Sequence, residues 1–251
     1  MRRTVIEIRG LNYVYPDGTR ALKDIDLEIL DLERVALIGP NGAGKTTLLL
    51  HLNGLLRGEG EIEVLERPLG DGAMREIREN VGLVFQDPDD QLFMPRVFDD
   101  VAFGPLNLGL SEAEVRERVT EALQIVNMEG HAERPPHHLS FGERKRVALA
   151  TILAMRPKIL ALDEPSSNLD PKSRREVIAL LRGLETTLIV ATHDLELVLE
   201  LCRRAVLLDR GELIADGPAR ELLADEGMML AHGLEVPLSL RLARADGGLR
   251  V

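Results

Sequence analysis

The sequence predicts an α/β fold: a mainly parallel sheet flanked by helices, with an N-terminal antiparallel β subdomain and a helical subdomain. Three observations predict it. Short, uniformly apolar runs at residues 35–38, 159–162 and 187–191 read as strands buried on both faces. Helical patterns follow each of them, the β–α alternation of a covered parallel sheet. The first thirty residues instead alternate with period two, as half-buried antiparallel strands do.

In chain order, residues 4–11 and 24–30 are strands, with Ile25, Leu27 and Ile29 on one face and Asp24, Asp26 and Glu28 on the other. Tyr15, Pro16, Asp17 and Gly18 form the turn between them. A short strand over 33–38 leads through a Gly-rich loop to a helix over about 45–53, and 61–65 and 81–85 are further strands. From 97 to 130 the pattern is helical, with Ser111 and Glu114 forming a capping box. A helix over about 141–155, a strand over 159–162, a helix from Pro171, a strand over 187–191 and a helix from Leu195 follow. Asp209, Arg210 and Gly211 read as a hairpin turn. The expected division is one domain over 1–224 and a less patterned C-terminal extension over 225–251. Within the domain the helical insert starts at about residue 88. It runs to about 135, or to about 155 with the next helix.

The chain has 251 residues, 45% hydrophobic and 29% charged, enough for one large domain with a full core. Aromatics make up only 3%, with no Trp, so the core is aliphatic and no base-stacking surface is expected. A net charge of -11 disfavours nonspecific attraction to nucleic acid or anionic lipid. The single cysteine, Cys202, lies in an apolar run and reads as a packing residue in a reducing compartment. No secretory signal is expected at the start and no run is long enough to span a bilayer, so work at a membrane would go through a partner.

The residues Gly39, Pro40, Asn41, Gly42, Ala43, Gly44, Lys45 and Thr46 match the phosphate-loop pattern G-x-x-x-x-G-K-[ST]. Glycines let backbone N–H groups converge on phosphate oxygens, and the following helix adds the positive end of its dipole. Lys45 supplies a point charge at the outer phosphates, and the Thr46 hydroxyl is a ligand for Mg²⁺. Thr47 completes the nucleotide-binding stretch. The strand over 159–162 ends on Asp163 and Glu164. One carboxylate suits the Mg²⁺ shell and the other suits an attacking water. Taken alone, that pair also fits a solvated acidic turn.

Leu139, Ser140, Phe141, Gly142 and Glu143 resemble the LSGGQ signature of ABC ATPases. As bare chemistry, Ser140 and Glu143 form a capping box that a plain helix cap explains fully, and only Gly142 hints at a close approach. Order narrows the reading. Gln86 follows the strand over 81–85, residues 167–170 follow the acidic pair, and His193 follows the strand over 187–191, as the Q-loop, D-loop and switch histidine do in that family. The resemblance covers residues 4–217 and implies an ATP- and Mg²⁺-dependent ATPase. Residues 84–93 and 97–104 resemble the ATPases of energy-coupling-factor importers, which include cobalt, nickel and vitamin uptake systems. Phe141 stands where the signature usually has Gly, and Glu143 where it has Gln.

What the resemblance implies is a sandwich of two subunits around two ATP molecules. Ser140 and Gly142 would contact the γ-phosphate held by the opposite subunit, whether an identical copy or a paralogue. Glu164 would be the catalytic carboxylate and His193 a contact to the γ-phosphate. Asp163, Gln86 and Thr46 would arrange Mg²⁺. Tyr15 would stack on adenine, with Tyr13 the alternative. The stretch from Gln86 to Met94 would receive a transmembrane subunit at the cytoplasmic face of the membrane. An exporter ATPase shares every catalytic motif, whereas a soluble ABC mechanoenzyme would add tandem cassettes, arms or basic segments. A P-loop kinase gives no reason for the signature or the histidine. The two histidines His137 and His138 lack a spaced carboxylate or Cys to make a metal site.

Overall fold

In the computed structural model, which describes residues 3–245, the N-terminal alternation closes into a hairpin. β1 (Thr4–Val14) and β2 (Arg20–Leu30) pair antiparallel and are longer than the sequence pattern predicts. The turn explains the extra length. Tyr15 N donates to Thr19 O and Gly18 N to Tyr15 O, both at 2.9 Å, which holds the strand ends in register. Ile25, Leu27 and Ile29 are buried, and Asp24, Asp26 and Glu28 are exposed. β3 (Arg34–Ile38) begins a second sheet and feeds α1 (Lys45–Leu52). The chain returns to the first sheet through β4 (Glu59–Val64) and β5 (Arg67–Pro68), giving the order β2-β1-β4-β5.

Next come α2 (Met74–Asn80) and β6 (Val81–Val84). The sequence pattern does not reveal α2, since only Met74 and Ile77 of its seven residues are buried. The helices α3 (Val97–Asn107), α4 (Glu112–Ile125) and α5 (Phe141–Leu153) pack on one another. Ser111 and Glu114 cap α4 reciprocally, as expected. Alternation then resumes with β7 (Ile159–Asp163), α6 (Pro171–Gly183), β8 (Thr187–Ala191) and α7 (Leu195–Leu201). β9 (Arg204–Asp209) and β10 (Glu212–Pro218) form the closing hairpin. Its two loop residues, Arg210 at φ 49° and Gly211 at φ 81°, both take the left-handed conformation that a tight hairpin needs.

The second sheet has the order β10-β9-β3-β8-β7-β6, parallel except for the β9–β10 hairpin. All of its strands except β10 bury both faces, because alternate residues enter different cores. Val35, Leu37, Ile159, Ala161, Ile189 and Ala191 pack with the first sheet and α1. Ala36, Ile38, Leu160, Leu162, Leu188 and Val190 pack with the helical side. Each large aliphatic side chain so buried contributes about 1.5–3 kcal/mol. The helical-side core also takes in Leu222 and Leu223 from α8 (Ala219–Ala224), Met229 from α9 (Glu226–Ala231), Leu240 from α10 (Leu238–Ala245), and Leu234 and Val236 from the link between the last two. The C-terminal segment that reads as weakly patterned is therefore anchored up to α10, and residues 246–251 of the expected extension lie outside the described residues. Burial pushes the Cys202 thiol up to about 12, consistent with packing rather than reactivity. Among the described residues no helix is long and apolar enough to cross a membrane.

Candidate functional site

Four strand ends meet at the carboxyl edge of the second sheet, where open α/β sheets take ligands. β3 runs into the glycine loop, β6 towards Gln86, β7 onto Asp163 and Glu164, and β8 onto Thr192 and His193. Tyr15, Asn41, Gly42, Ala43, Gly44, Lys45, Thr46, Thr47, Gln86, Asp163 and Glu164 line one cleft of ≈ 360 Å³. Gly39 and Pro40 do not line it but hold its lysine.

The loop accepts nothing larger than glycine at two points. A Cβ on Gly39 would lie 2.0 Å from the carbonyl oxygen of Leu208, and one on Gly44 would lie 2.6 Å from that of Ala21. Lys45 opens α1 and folds back, its Nζ donating to Gly39 O at 2.7 Å and Pro40 O at 3.0 Å. Lys45 as a whole is only 7% exposed. Burial pushes its pKa down, while Glu164 and Asp163 oppose the shift. An anion entering the loop would meet a buried cation whose present partners are neutral carbonyls.

Asp163 faces that lysine across the cleft, and its Oδ2 accepts from the Thr46 hydroxyl at 2.8 Å. Burial raises its pKa, with the Thr46 bond opposing. A hydroxyl and a buried carboxylate, with the Gln86 amide on the same cleft, make a set of hard oxygen donors. That set fits Mg²⁺.

Glu164 is more constrained. Its φ of 45° is left-handed, a conformation that costs roughly 1–2 kcal/mol for a residue with a Cβ. The surroundings enforce it. Glu164 N donates to Ala191 O at 2.8 Å, and its carbonyl accepts from Ser167 Oγ at 2.9 Å and Lys145 Nζ at 2.8 Å. The side chain is aimed as firmly. Oε2 accepts from Thr192 Oγ1 at 2.9 Å, and Oε1 accepts from His193 N at 3.0 Å and lies 2.7 Å from His193 Nδ1. A carboxylate can only accept, so Nδ1 bears the hydrogen. The His193 side chain is 60% exposed while that of Glu164 is 8% exposed, so the imidazole is the solvent-facing member of the pair.

Tyr15 lines the cleft, its hydroxyl 3.0 Å from Thr47 Oγ1, whereas Tyr13 stacks edge-on against His51 behind it. Between the two tyrosines the structure brings Tyr15 to the phosphate loop. Ser140 and Gly142 do not reach this cleft. Ser140 caps α5 in a box with Glu143, accepting from Glu143 N at 3.3 Å while its own N donates to Glu143 Oε2 at 2.8 Å. The sequence marks Gly142 as a point of close approach, and within this chain the approach is to α6. A Cβ there would lie 2.5 Å from Ser173 Oγ. Phe141 packs under the Arg144 guanidinium, 5.7 Å from its ring centre.

Comparison with known proteins agrees with this arrangement. The family model described as ABC transporter matches residues 22–167. The chain belongs to the ABC transporter family. It is 49% identical over 239 residues to the energy-coupling factor transporter ATP-binding protein EcfA of Methanothermobacter thermautotrophicus, covering 93% of this chain and 77% of that one. Its fold is similar to cbiO1 of Clostridium perfringens, part of the ABC transporter complex cbiONQ. The TM-score is 0.81 at 39% identity, over 96% of this chain and 99% of that one. It is similar too to an ATP-binding cassette solved as a dimer in a post-hydrolysis state with ADP and phosphate. There the TM-score is 0.77 at 30% identity, over 85% of this chain and 98% of that one. The chain is an ATP-binding, ATP-hydrolysing subunit of an ABC transporter.

Within the ABC cassette several residues act that the motifs do not announce. Thr192 holds one oxygen of Glu164. Gln91 receives Phe85 N at 3.2 Å and donates to Ala148 O at 2.8 Å and Thr151 Oγ1 at 2.7 Å, tying the segment after β6 to α5. Lys145 stands in a run of three cations, yet it is 2% exposed. One signal was available. At helical spacing Lys145 shares a face with Gly142 and Leu149, both buried.

Proposed function

We propose that this chain is the ATPase of an energy-coupling-factor importer, working at the cytoplasmic face of a membrane on ATP and Mg²⁺. In this reading Lys45 and the loop amides grip the phosphates and Tyr15 packs on the adenine. Asp163, Thr46 and Gln86 hold the Mg²⁺, which supplies neutralising charge for the transferred phosphoryl group. Glu164, held by Thr192 and His193, orients the attacking water and accepts its proton. The exposed imidazole of His193 contacts the γ-phosphate. Ser140 and Gly142 complete the site of a second subunit, an identical copy or a paralogue.

The observation that carries docking to a transmembrane subunit is the apolar strip that follows Gln86 in the chain, within the stretches whose sequence resembles importer ATPases. Phe93, 64% exposed, stacks edge-on with Phe103 at 5.1 Å. A groove lined by Met94, Phe98, Phe103 and Leu106 adjoins it. Asp100, buried in α3, fixes the strip by accepting from Phe93 N and Met94 N at 3.0 Å each. Exposed aromatics held in place suit a helix from a transmembrane subunit. The similarity to EcfA and cbiO1 supports an importer, and a metal ion such as cobalt or nickel, or a vitamin, as cargo. In cells the wild-type chain is expected in the membrane fraction, and Phe103→Glu in the soluble fraction with its nucleotide affinity intact. Equal membrane recovery of the two would contradict the docking site.

A further inference from the structure

The least expected group near the cleft is Lys145. It sits on the second turn of α5 and is 2% exposed as a whole residue, and its ammonium donates to the main-chain carbonyl of Glu164 at 2.8 Å. Burying a cation is unfavourable unless something is gained from it. Fold stability is a poor candidate for that gain, because Ser167 N and Oγ already bond the same carbonyl, at 3.2 and 2.9 Å. The charge has a better account. Lys45 and Lys145 both feel Asp163 and Glu164, so two buried cations offset two buried carboxylates.

We propose that Lys145 is a positioning residue for ATP hydrolysis, its ammonium clamping the carbonyl of Glu164 so that α5 and the water-orienting carboxylate move as one unit. This rests on the role proposed for Glu164. Position matters because Glu164 holds a left-handed φ of 45° and its side chain has a single aim, set by Thr192 and His193. A left-handed backbone relaxes when one of its restraints is released, and rotation at that residue swings the carboxylate off the water. The clamp also has a direction. α5 is the helix whose N-terminus Ser140 caps. A shift of that terminus is therefore passed to the carbonyl of Glu164 through one side chain. Burial pushes the Lys145 pKa down to about 8, against the pull of Asp163 and Glu164, which leaves the group an ammonium at neutral pH.

The test compares Lys145→Met, Lys145→Arg and Glu164→Gln in the full chain. Steady-state hydrolysis, binding of a fluorescent ATP analogue and thermal unfolding are measured for each. Methionine fills the same space without the charge, so Lys145→Met is expected to melt at or above the wild-type temperature. Its kcat should fall at least tenfold while KM and analogue affinity stay within twofold. Lys145→Arg, which keeps a cation and donors, should recover part of the lost kcat. Unchanged kcat in Lys145→Met overturns the proposal, as does a lower melting temperature with a proportionate loss of binding. An active Glu164→Gln would instead refute the role of Glu164, and is read separately.

Discussion

The cleft at the end of β3 and the N-terminus of α5 are both anion-binding geometries, yet they are finished to different degrees. In the cleft every charged group has a counterpart in the same chain: Lys45 with two carbonyls, Asp163 with Thr46, Glu164 with Thr192 and His193. At α5 the cap is satisfied by its own helix, Ser140 with Glu143, and neither Ser140 nor Gly142 lines the cleft that holds Lys45, Asp163 and Glu164. A site complete in itself binds ligand alone. In the proposed sandwich of two subunits, the terminus of α5 is the part that serves the other subunit's site. On that proposal the difference marks where one subunit's contribution ends and the other's begins.

The first way to break that contrast is at the carboxylate. Glu164→Gln keeps the size of the side chain and removes its capacity to take a proton. Phosphate release is expected to fall by on the order of 10³-fold, with nucleotide still bound and a dimer appearing on gel filtration in ATP. A variant with wild-type turnover would remove the base from the account. The loop comes next. Lys45→Met should weaken ATP binding by about 10- to 100-fold, the worth of a charge-assisted contact, as read by isothermal titration. It should not lower the melting temperature, since it removes a buried ammonium. A smaller effect sharpens the view of α5. Gly142→Ala drives a Cβ against Ser173 and is expected to cost about 1–3 kcal/mol in denaturant titration. Adding Ser173→Gly should restore it. If the double variant stays destabilised, the contact between α5 and α6 is not what reserves this position for glycine.

The same contrast explains what the sequence makes legible. The glycine loop, the acidic strand end and the histidine are contiguous runs whose chemistry follows from local order, and the structure brings the loop and the acidic pair to one cleft, with His193 bonded to Glu164 beside it. The alternating hairpin and the apolar strands are equally local, and only their ends differ, because hydrogen bonds in the Tyr15–Thr19 turn extend them. Lys145, Gln91 and Thr192 stay hidden because their partners lie far off in sequence. Lys145 is 19 residues from Glu164, and Gln91 is 57 from Ala148. Gly142 is legible as a close approach but not as an approach to α6. Helix α2 is hidden for a different reason, since two buried residues in seven leave too narrow a stripe to register. At the C-terminus, Met229, Leu234, Val236 and Leu240 reach the core from short helices and links that share no single period.

Hydrolysis is proposed to need the signature of a second chain, and specific activity measured across dilution tests that most directly. Per subunit, ATP turnover is predicted to fall as the protein is diluted from micromolar to nanomolar. Ser140→Ala, which also loses about 1 kcal/mol of cap energy, is predicted to lower turnover at every concentration while nucleotide binding by the dilute chain stays unchanged. Turnover per subunit that is constant on dilution and indifferent to Ser140 would contradict it, and would assign the whole reaction to the cleft of a single chain.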